Sequence, residues 1–537
     1  MTGIVVAPHL PAAEAGIDLL DAGGSAVDAA IGAALVQAVV DPMMGGLGGF
    51  GVLTYFDAAR AEATVVDFGG RAGSRVVPSQ WRDQSRGIAP DGFGYVVDGF
   101  ANDVGYGSVG TPGFVAGIGS AHDRWGRLPW ADLFTEATRL AHDGFSISEV
   151  VAAFWRSPGT DYRPSGEARL SISDAGRRAF FRDERPLRPG EVAVVPELAT
   201  TLSILAAEGQ GAFYGGSIGR ALADELARHE ATVVAADLSA YRPVVLKPQT
   251  VVFRDHVVAA PPPPNGGLEL ARMLALLDRF SPGRVEDRYD IESIRLLVEA
   301  IKFGRSARAV GPAPADNHGQ LDAREIDEAA EIVRNGGTLT VRQPVVFAET
   351  PTTNQVTVVD RDLNVCVLTH SLGYSSGVMS TELGFFLNNY LNCFNPVPGY
   401  ADSLGPGATR SSSMAPAIAT LNGTPMLAVG APGATRISSA IAQVIVNVVD
   451  YNMTATEAVA GPRVDSQSTE VRIEGRIPST TERGLAALGH RIVRHALNYD
   501  RYFARPQLAM RSGSTWTGAS DPRSDGGVAL AQGGRLW

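Results

Sequence analysis

From position 351 to 373 the chain runs PTTNQVTVVDRDLNVCVLTHSLG, with apolar and polar positions alternating. Val356 and Val358 precede a charged stretch, and Val365 and Val367 follow it. Period-2 alternation of β-branched residues predicts two strands joined by the turn Asp360-Arg361-Asp362-Leu363-Asn364, with Thr352 and Thr353 at the head of the first. Elsewhere the pattern predicts a strand over 3–7 and a helix over 11–22 closed by Gly23-Gly24. Ser25 caps a second helix, 26–40, whose small residues permit close approach to a sheet. Further elements are a strand over 52–56, a strand ending near Phe68 in a Gly-rich loop, and helices either side of Gly126-Arg127-Leu128-Pro129. An amphipathic helix runs to Glu208 and stops at Gly209.

DLSAYRPVV and VVFRDHVVAA, 237–245 and 251–260, are expected as two strands, followed by a stiff Pro261–Pro264 turn and a helix after Gly266-Gly267. Positions 305–349 are polar, with one helical stretch at 323–333, and suit a functional or freed loop. A loop and strand are expected over 378–387. GATRSSSMAPAIA is a loop of small hydroxyl residues entering an apolar strand. LAVGAPGATRISSAIAQ is a strand, a tight turn and a helix, whose N-terminus suits an anion. SDPRSDGGVALA is a closing strand.

The 537 residues have length for roughly two to four domains of ordinary size. A hydrophobic content of 45% against 19% charged residues is that of a folded protein. The excess of 57 acidic over 46 basic residues, with no basic run, argues against a nucleic-acid partner. Cys366 and Cys393 give neither a disulfide framework nor a metal cluster, and each is expected as a buried, inert thiol. The opening MTGIVVAPHLPAAEAG lacks the charged and apolar regions of a signal peptide, and no apolar run reaches about 18 residues. A soluble cytoplasmic protein without a membrane partner is expected.

Several motifs carry alternatives. Gly46-Leu47-Gly48-Gly49-Phe50-Gly51 has the letters of a dinucleotide loop, but a helix precedes it and a strand follows, the reverse of what a phosphate loop needs. No cofactor is expected. His122 and His142 lack carboxylate or Cys neighbours at ligand spacing, so each is a solvated or capping histidine and no metal is expected. Gly373-Tyr374-Ser375-Ser376-Gly377 fits G-x-S-x-G, with Asp402, Asp465 and His490 as conceivable partners, but no helix follows it directly. Thr353 is either an ordinary strand residue or, if the chain is cut before it, a hydroxyl beside a free α-amine of pKa about 8 that can act as its base.

The stretch around Thr353, together with GGSAVDAA, PGFVAG, WGRLPW, ATRLAHDGF and RSSSMAP, resembles the γ-glutamyltransferase family of N-terminal-nucleophile (Ntn) hydrolases over nearly the whole chain. That resemblance implies a four-layer αββα sandwich of the α/β (α+β) class. It implies a proenzyme cut into residues 1–352 and 353–537, the two fragments forming a heterodimer that can dimerise further. Thr353, seven residues before the Asp of a VVD strand end, falls on the family nucleophile, and Ser371 on a second hydroxyl that binds it. Gly433 and Ala434 fall on the paired glycines of the oxyanion hole, where Ala434 serves unless its φ must be positive. Ser412 and Ser413 fall on a substrate-contacting pair, with a plain turn as the alternative, and Gly373 lies beside them in the binding set.

Two departures concern the acyl group. Members acting on γ-glutamyl groups carry an Arg in F-R-E-x-A-P and an Asp in N-N-Q-M-D-D-F. Here Gly69 stands at the first place, with Arg71 two residues on, and Cys393 at the second, with Tyr390 where the amide lies. Both charged clamps for glutamate are missing from those positions. Arg71, in a G-R-A segment like that of oxamate-amidohydrolase-type members, suits a small anionic acyl group such as oxalyl, or a surface salt bridge. The expected activity is cofactor-free cleavage of a small amide. The alternatives are a γ-glutamyltransferase or glutathione hydrolase proper, cleavage of a C–C bond beside a carbonyl, a serine hydrolase using Ser375, and a non-catalytic binding protein.

Overall fold

In the computed structural model, residues 3–90, 94–306, 321–341, 353–466 and 470–531 are described, with the backbone of 534–536. The predicted hairpin forms: strands Asn354–Val359 and Val365–Ser371 pair antiparallel, with Asn354 opposite His370. Asp360 builds the turn, one oxygen accepting from the N–H groups of Asp362 and Asn364, both at 2.9 Å. Its other oxygen accepts from Ala26 N–H at 3.2 Å, which ties the turn to the start of helix Ala26–Val40.

This hairpin is the middle of an eight-stranded sheet. Its order is Val244–Leu246, Glu62–Phe68, Phe50–Asp57, Val365–Ser371, Asn354–Val359, Ile4–Ala7, Gly527–Leu530 and Gly534–Leu536. A second sheet of six strands runs Gln249–Phe253, His256–Ala260, Ala417–Leu421, Thr424–Gly430, Gln507–Ser512 and Thr515–Ser520.

Strand alternation sorts the core into three apolar layers. Ile4, Val6, Val365 and Val367 meet Ile418, Ala428 and Trp516 between the sheets. Val356, Val358, Cys366 and Leu368 point the other way, into helices that include Leu10–Asp21, Ala26–Val40 and Phe114–Trp125. On the far side Ala417, Ala419, Leu427 and Val429 pack against Gly267–Leu277, Ile291–Arg305 and Ile437–Val449. Helix, sheet, sheet, helix: the αββα sandwich implied by the resemblance is the fold.

Two local expectations are corrected. The start of 237–245 is a short helix, Ala235–Ala240, because the Asp237 carboxylate accepts from Val234 N–H at 2.9 Å and closes the first turn. The stretch after it forms a hairpin rather than one strand, turning at Arg254 with φ +52°. Positions 378–387 hold no strand, only isolated bridges, Met379 with Phe386 and Leu387 with Gly48. The polar segment does carry its helix, Ala323–Arg334. Thr352 and most of the rest of 305–352 lie outside the described residues. Among the described residues no helix is long and apolar enough to cross a membrane.

Candidate active site

Thr353 stands at the head of the central hairpin, one position before the Asn354–His370 pair, and is 3% exposed. Its hydroxyl donates to Ser371 Oγ at 3.4 Å, and Gly373 N–H donates to the same oxygen at 2.9 Å. Next to Thr353, the Asn354 amide donates to Asp41 at 3.3 Å, a carboxylate shared with His9 at 2.9 Å. His370 is fully buried; burial, then the nearby His9, pushes its pKa down to about 3, so it stays neutral with Nε2 on the Gln37 amide oxygen at 2.8 Å.

Strand Thr424–Gly430 passes over this end of the hairpin, since a Cβ on Gly430 would lie 2.3 Å from the Gln355 amide. The chain then turns through Gly433 and Ala434 into helix Ile437–Val449. Neither Gly433 N–H nor Ala434 N–H has a hydrogen-bond partner among the described residues. The turn is held from behind: Arg505 N–H donates to Pro432 O at 2.9 Å, and the Arg305 guanidinium donates to Thr435 O. Gly433 has φ 164° and ψ 15°, outside the left-handed region, so a left-handed turn does not demand glycine there. Space does, because a Cβ there would stand 2.1 Å from that of Ala504. Ala434 has φ +50°, the left-handed region in which a glycine would be at ease.

A cavity of about 290 Å³ opens beside the hairpin, walled by Phe50, the strand partner of Ser371. Gly69, Arg71, Tyr390 and Ser412 line it too. Gly69 donates its N–H to Asp67 at 2.8 Å and accepts from the Tyr241 hydroxyl at 2.7 Å, leaving its wall without a side chain. Arg71 faces the Tyr241 ring at 5.8 Å, in the cavity rather than in a surface salt bridge. Cys393 is not in the lining and is only half-buried, a correction to both expectations for it. The Tyr390 ring, wedged where side chains on Gly70 or Gly110 would be, forms that wall, and Cys393 lies beyond it near Tyr95. Ser413 also falls outside the lining: its neighbour Ser412 faces in, and its own carbonyl turns to Ser438 Oγ at 3.5 Å.

Two lining residues had no role in the sequence reading. Asp67 accepts from Gly69 N–H and from the Asn265 amide, each at 2.8 Å, and burial raises its pKa despite those bonds. Arg410 is 8% exposed, its guanidinium 4.7 Å from the Tyr390 ring centre and 5.2 Å from that of Phe50. A single Arg in a run of small hydroxyl residues was the only available signal.

The Ser375 alternative fails on geometry. Ser375 is fully buried, and its hydroxyl donates to Leu387 O at 3.3 Å. His490 sits by Lys302 and Glu299, Asp402 accepts from the Tyr95 hydroxyl, and Asp465 from Ser439, so no acid–histidine pair converges on it. His122 closes the 126–129 turn on Leu128 O at 2.9 Å, and His142 is exposed beside Asp143.

Comparison with known proteins bears on the family and the fold. A family model described as Gamma-glutamyltranspeptidase matches residues 12–531. Acylase ACY 1 proenzyme of Pseudomonas sp. (strain V22) is 32% identical over 544 residues, covering 99% of this chain and 94% of its own. Glutathione hydrolase proenzyme of Escherichia coli (strain K12) is 28% identical, with 97% and 90% covered. Among solved structures, cephalosporin acylase from Bacillus halodurans superposes with a TM-score of 0.85 at 23% identity, over 99% of this chain and 96% of that one, a likeness of fold. By the extent of these matches, the chain belongs to the gamma-glutamyltranspeptidase family of Ntn hydrolases.

Proposed function

We propose that this protein is an autoprocessing Ntn amidohydrolase whose nucleophile is Thr353 and whose substrate is a small amide outside the γ-glutamyl class. The observation that carries the reading is the Thr353–Ser371 contact at the head of the central hairpin. In the precursor the Thr353 hydroxyl attacks the Thr352 carbonyl, the C–N bond breaks, and water opens the resulting ester.

In the mature form the freed α-amine, with pKa about 8, takes the hydroxyl proton as the oxygen attacks the substrate carbonyl. Gly433 and Ala434 N–H groups would receive the oxyanion; a single such donor is worth about 3 kcal/mol. The amine then returns its proton to the departing nitrogen, and water hydrolyses the acyl ester by the same path in reverse. With His370 neutral and engaged by Gln37, the α-amine is the base that this reading requires.

The departures at the acyl end support a different acyl group. Gly69 offers no cation where γ-glutamyl enzymes have one, and Cys393 lies outside the cavity. Arg71 within the cavity favours an oxamate-like or other anionic N-acyl compound. Intact mass and N-terminal sequencing test the nucleophile. Purified protein should separate into fragments of 1–352 and 353–537, and Thr353→Ala should yield one uncut, inactive chain. Activity in a preparation of unbroken chains, or an N-terminus at Thr352 or Asn354, would overturn the assignment.

A further inference from the structure

We propose that Asp41 is a positioning residue for this reaction: through Asn354 on one side and the 41–44 turn on the other, it fixes Thr353 against Ser371. The inference rests on Thr353 as nucleophile and deepens that reading by naming what holds the two hydroxyls together.

Alternation along the hairpin sends neighbouring side chains to opposite faces. Thr357, of the same parity as Thr353, faces the second sheet and donates to Gln507 O at 3.0 Å. Val356 and Val358 enter the helical layer, and Asn354 shares their side. That layer is apolar along most of the strand, yet at its head it holds His9, Gln37, Asp41, Asn354 and His370, none more than 5% exposed. Polar groups buried so deeply cost stability unless they are bonded. Gln37 and His370 bond each other, and Gln37 also donates to Gln355 O at 3.0 Å. The other three form a separate arm.

One oxygen of Asp41 accepts from His9 Nε2 at 2.9 Å and from the Asn354 amide at 3.3 Å. Asp41 ends helix Ala26–Val40, and His9 begins helix Leu10–Asp21, so the carboxylate is anchored to both. The Asn354 amide is also closed in by Gly45, where a Cβ would lie 3.2 Å from its nitrogen and 2.6 Å from the His370 ring. A second arm runs through the main chain. Asp41 O accepts from Met44 N–H at 3.1 Å, and Met44 O accepts from Leu372 N–H at 3.0 Å. Leu372 lies between Ser371 and Gly373, whose N–H holds Ser371 Oγ at 2.9 Å. One residue therefore fixes the neighbour of Thr353 and the neighbour of Ser371. The 3.4 Å between the two hydroxyls depends on both arms, and a displacement of about 1 Å at a reacting group costs about 100-fold in rate.

The test follows self-cleavage of the whole chain, made by cell-free synthesis and sampled over time on a denaturing gel, so that no substrate has to be known. Asn354→Ala leaves Asp41 with His9 and removes one arm; it should slow cutting by about 10- to 100-fold. Asp41→Ala should slow it at least as much. Asp41→Asn, which keeps an acceptor oxygen in the same shape, should recover part of the rate. The double variant Asp41→Ala/Asn354→Ala should cut within about threefold of Asp41→Ala alone, since the two groups act along one path. Asp28→Ala, at the opposite end of helix Ala26–Val40, is the stability control. It should lower the denaturation midpoint and still cut within about threefold of wild type. Wild-type cutting by Asn354→Ala would overturn the proposal, even if the Asp41 variants fail to fold. So would multiplying losses in the double variant, no recovery in Asp41→Asn, or an Asp28→Ala chain as slow as Asp41→Ala. Failure of the nucleophile reading would show separately, as a wild-type chain that stays whole.

Discussion

Ala434 takes φ +50°, where the Cβ of an L-residue crowds the following carbonyl. The sequence reading made its role conditional on a φ that need not be positive, and the condition is not met. An alanine can hold the position only because its surroundings impose it, Arg305 gripping the next carbonyl and Arg505 the one before the turn. Replacing Ala434 by Gly removes the clash and returns some unfolded-chain entropy, with a net gain of about 0.5–1 kcal/mol. Thermal melting should show the higher midpoint, with kcat little changed, since the proposed oxyanion role uses only the N–H. Gly433 needs glycine for another reason, the 2.1 Å approach to Ala504, and that neighbour is 71 positions away in the chain. The family resemblance pointed to Thr353, counted back from Asp360, and to Ser371 as its second hydroxyl, but Arg410 carried no local pattern. What singles it out is two aromatic rings contributed by distant segments.

Helix Ala26–Val40 shows how far local signals reach. Ser25 caps it, as its position before the apolar run indicates, and Asp28 completes the reciprocal box. The same Asp28 oxygen also accepts the N–H groups of Arg127 at 2.8 Å and Leu128 at 3.1 Å, so one buried carboxylate stitches the helix to the turn between two others. Asp28→Ala would strand those part-buried donors together with the N–H of Ser25 and should cost about 3 kcal/mol, against about 1 kcal/mol for Ser25→Ala. Chemical denaturation of the two variants checks the ordering, and equal losses would show that the link to 127–128 carries nothing. Where a short element was misread, as at Ala235–Ala240, an Asp forming a local cap outweighed strand-forming neighbours.

Across the whole molecule, the two halves of the chain are interleaved. Ile4–Ala7, from the first half, lies between Asn354–Val359 and Gly527–Leu530, both from the second. In the other sheet, His256–Ala260 from the first half pairs with Ala417–Leu421 from the second. Once cut, the fragments should therefore co-elute on size exclusion and separate only in denaturant; separation in native buffer would contradict this pairing. The alternation of residues in each strand and the periodicity of each helix determined most of where the chain extends and where it coils, because those patterns record which face is buried; 235–240, 251–260 and 378–387 are the exceptions. The resemblance of several motifs pointed to the family, which the matches over the whole chain show. Which strands become neighbours, which cations converge on one cavity, and the positive φ at Ala434 were decided by tertiary structure alone. Those outcomes depend on contacts between segments tens to hundreds of residues apart, and no local pattern encodes them.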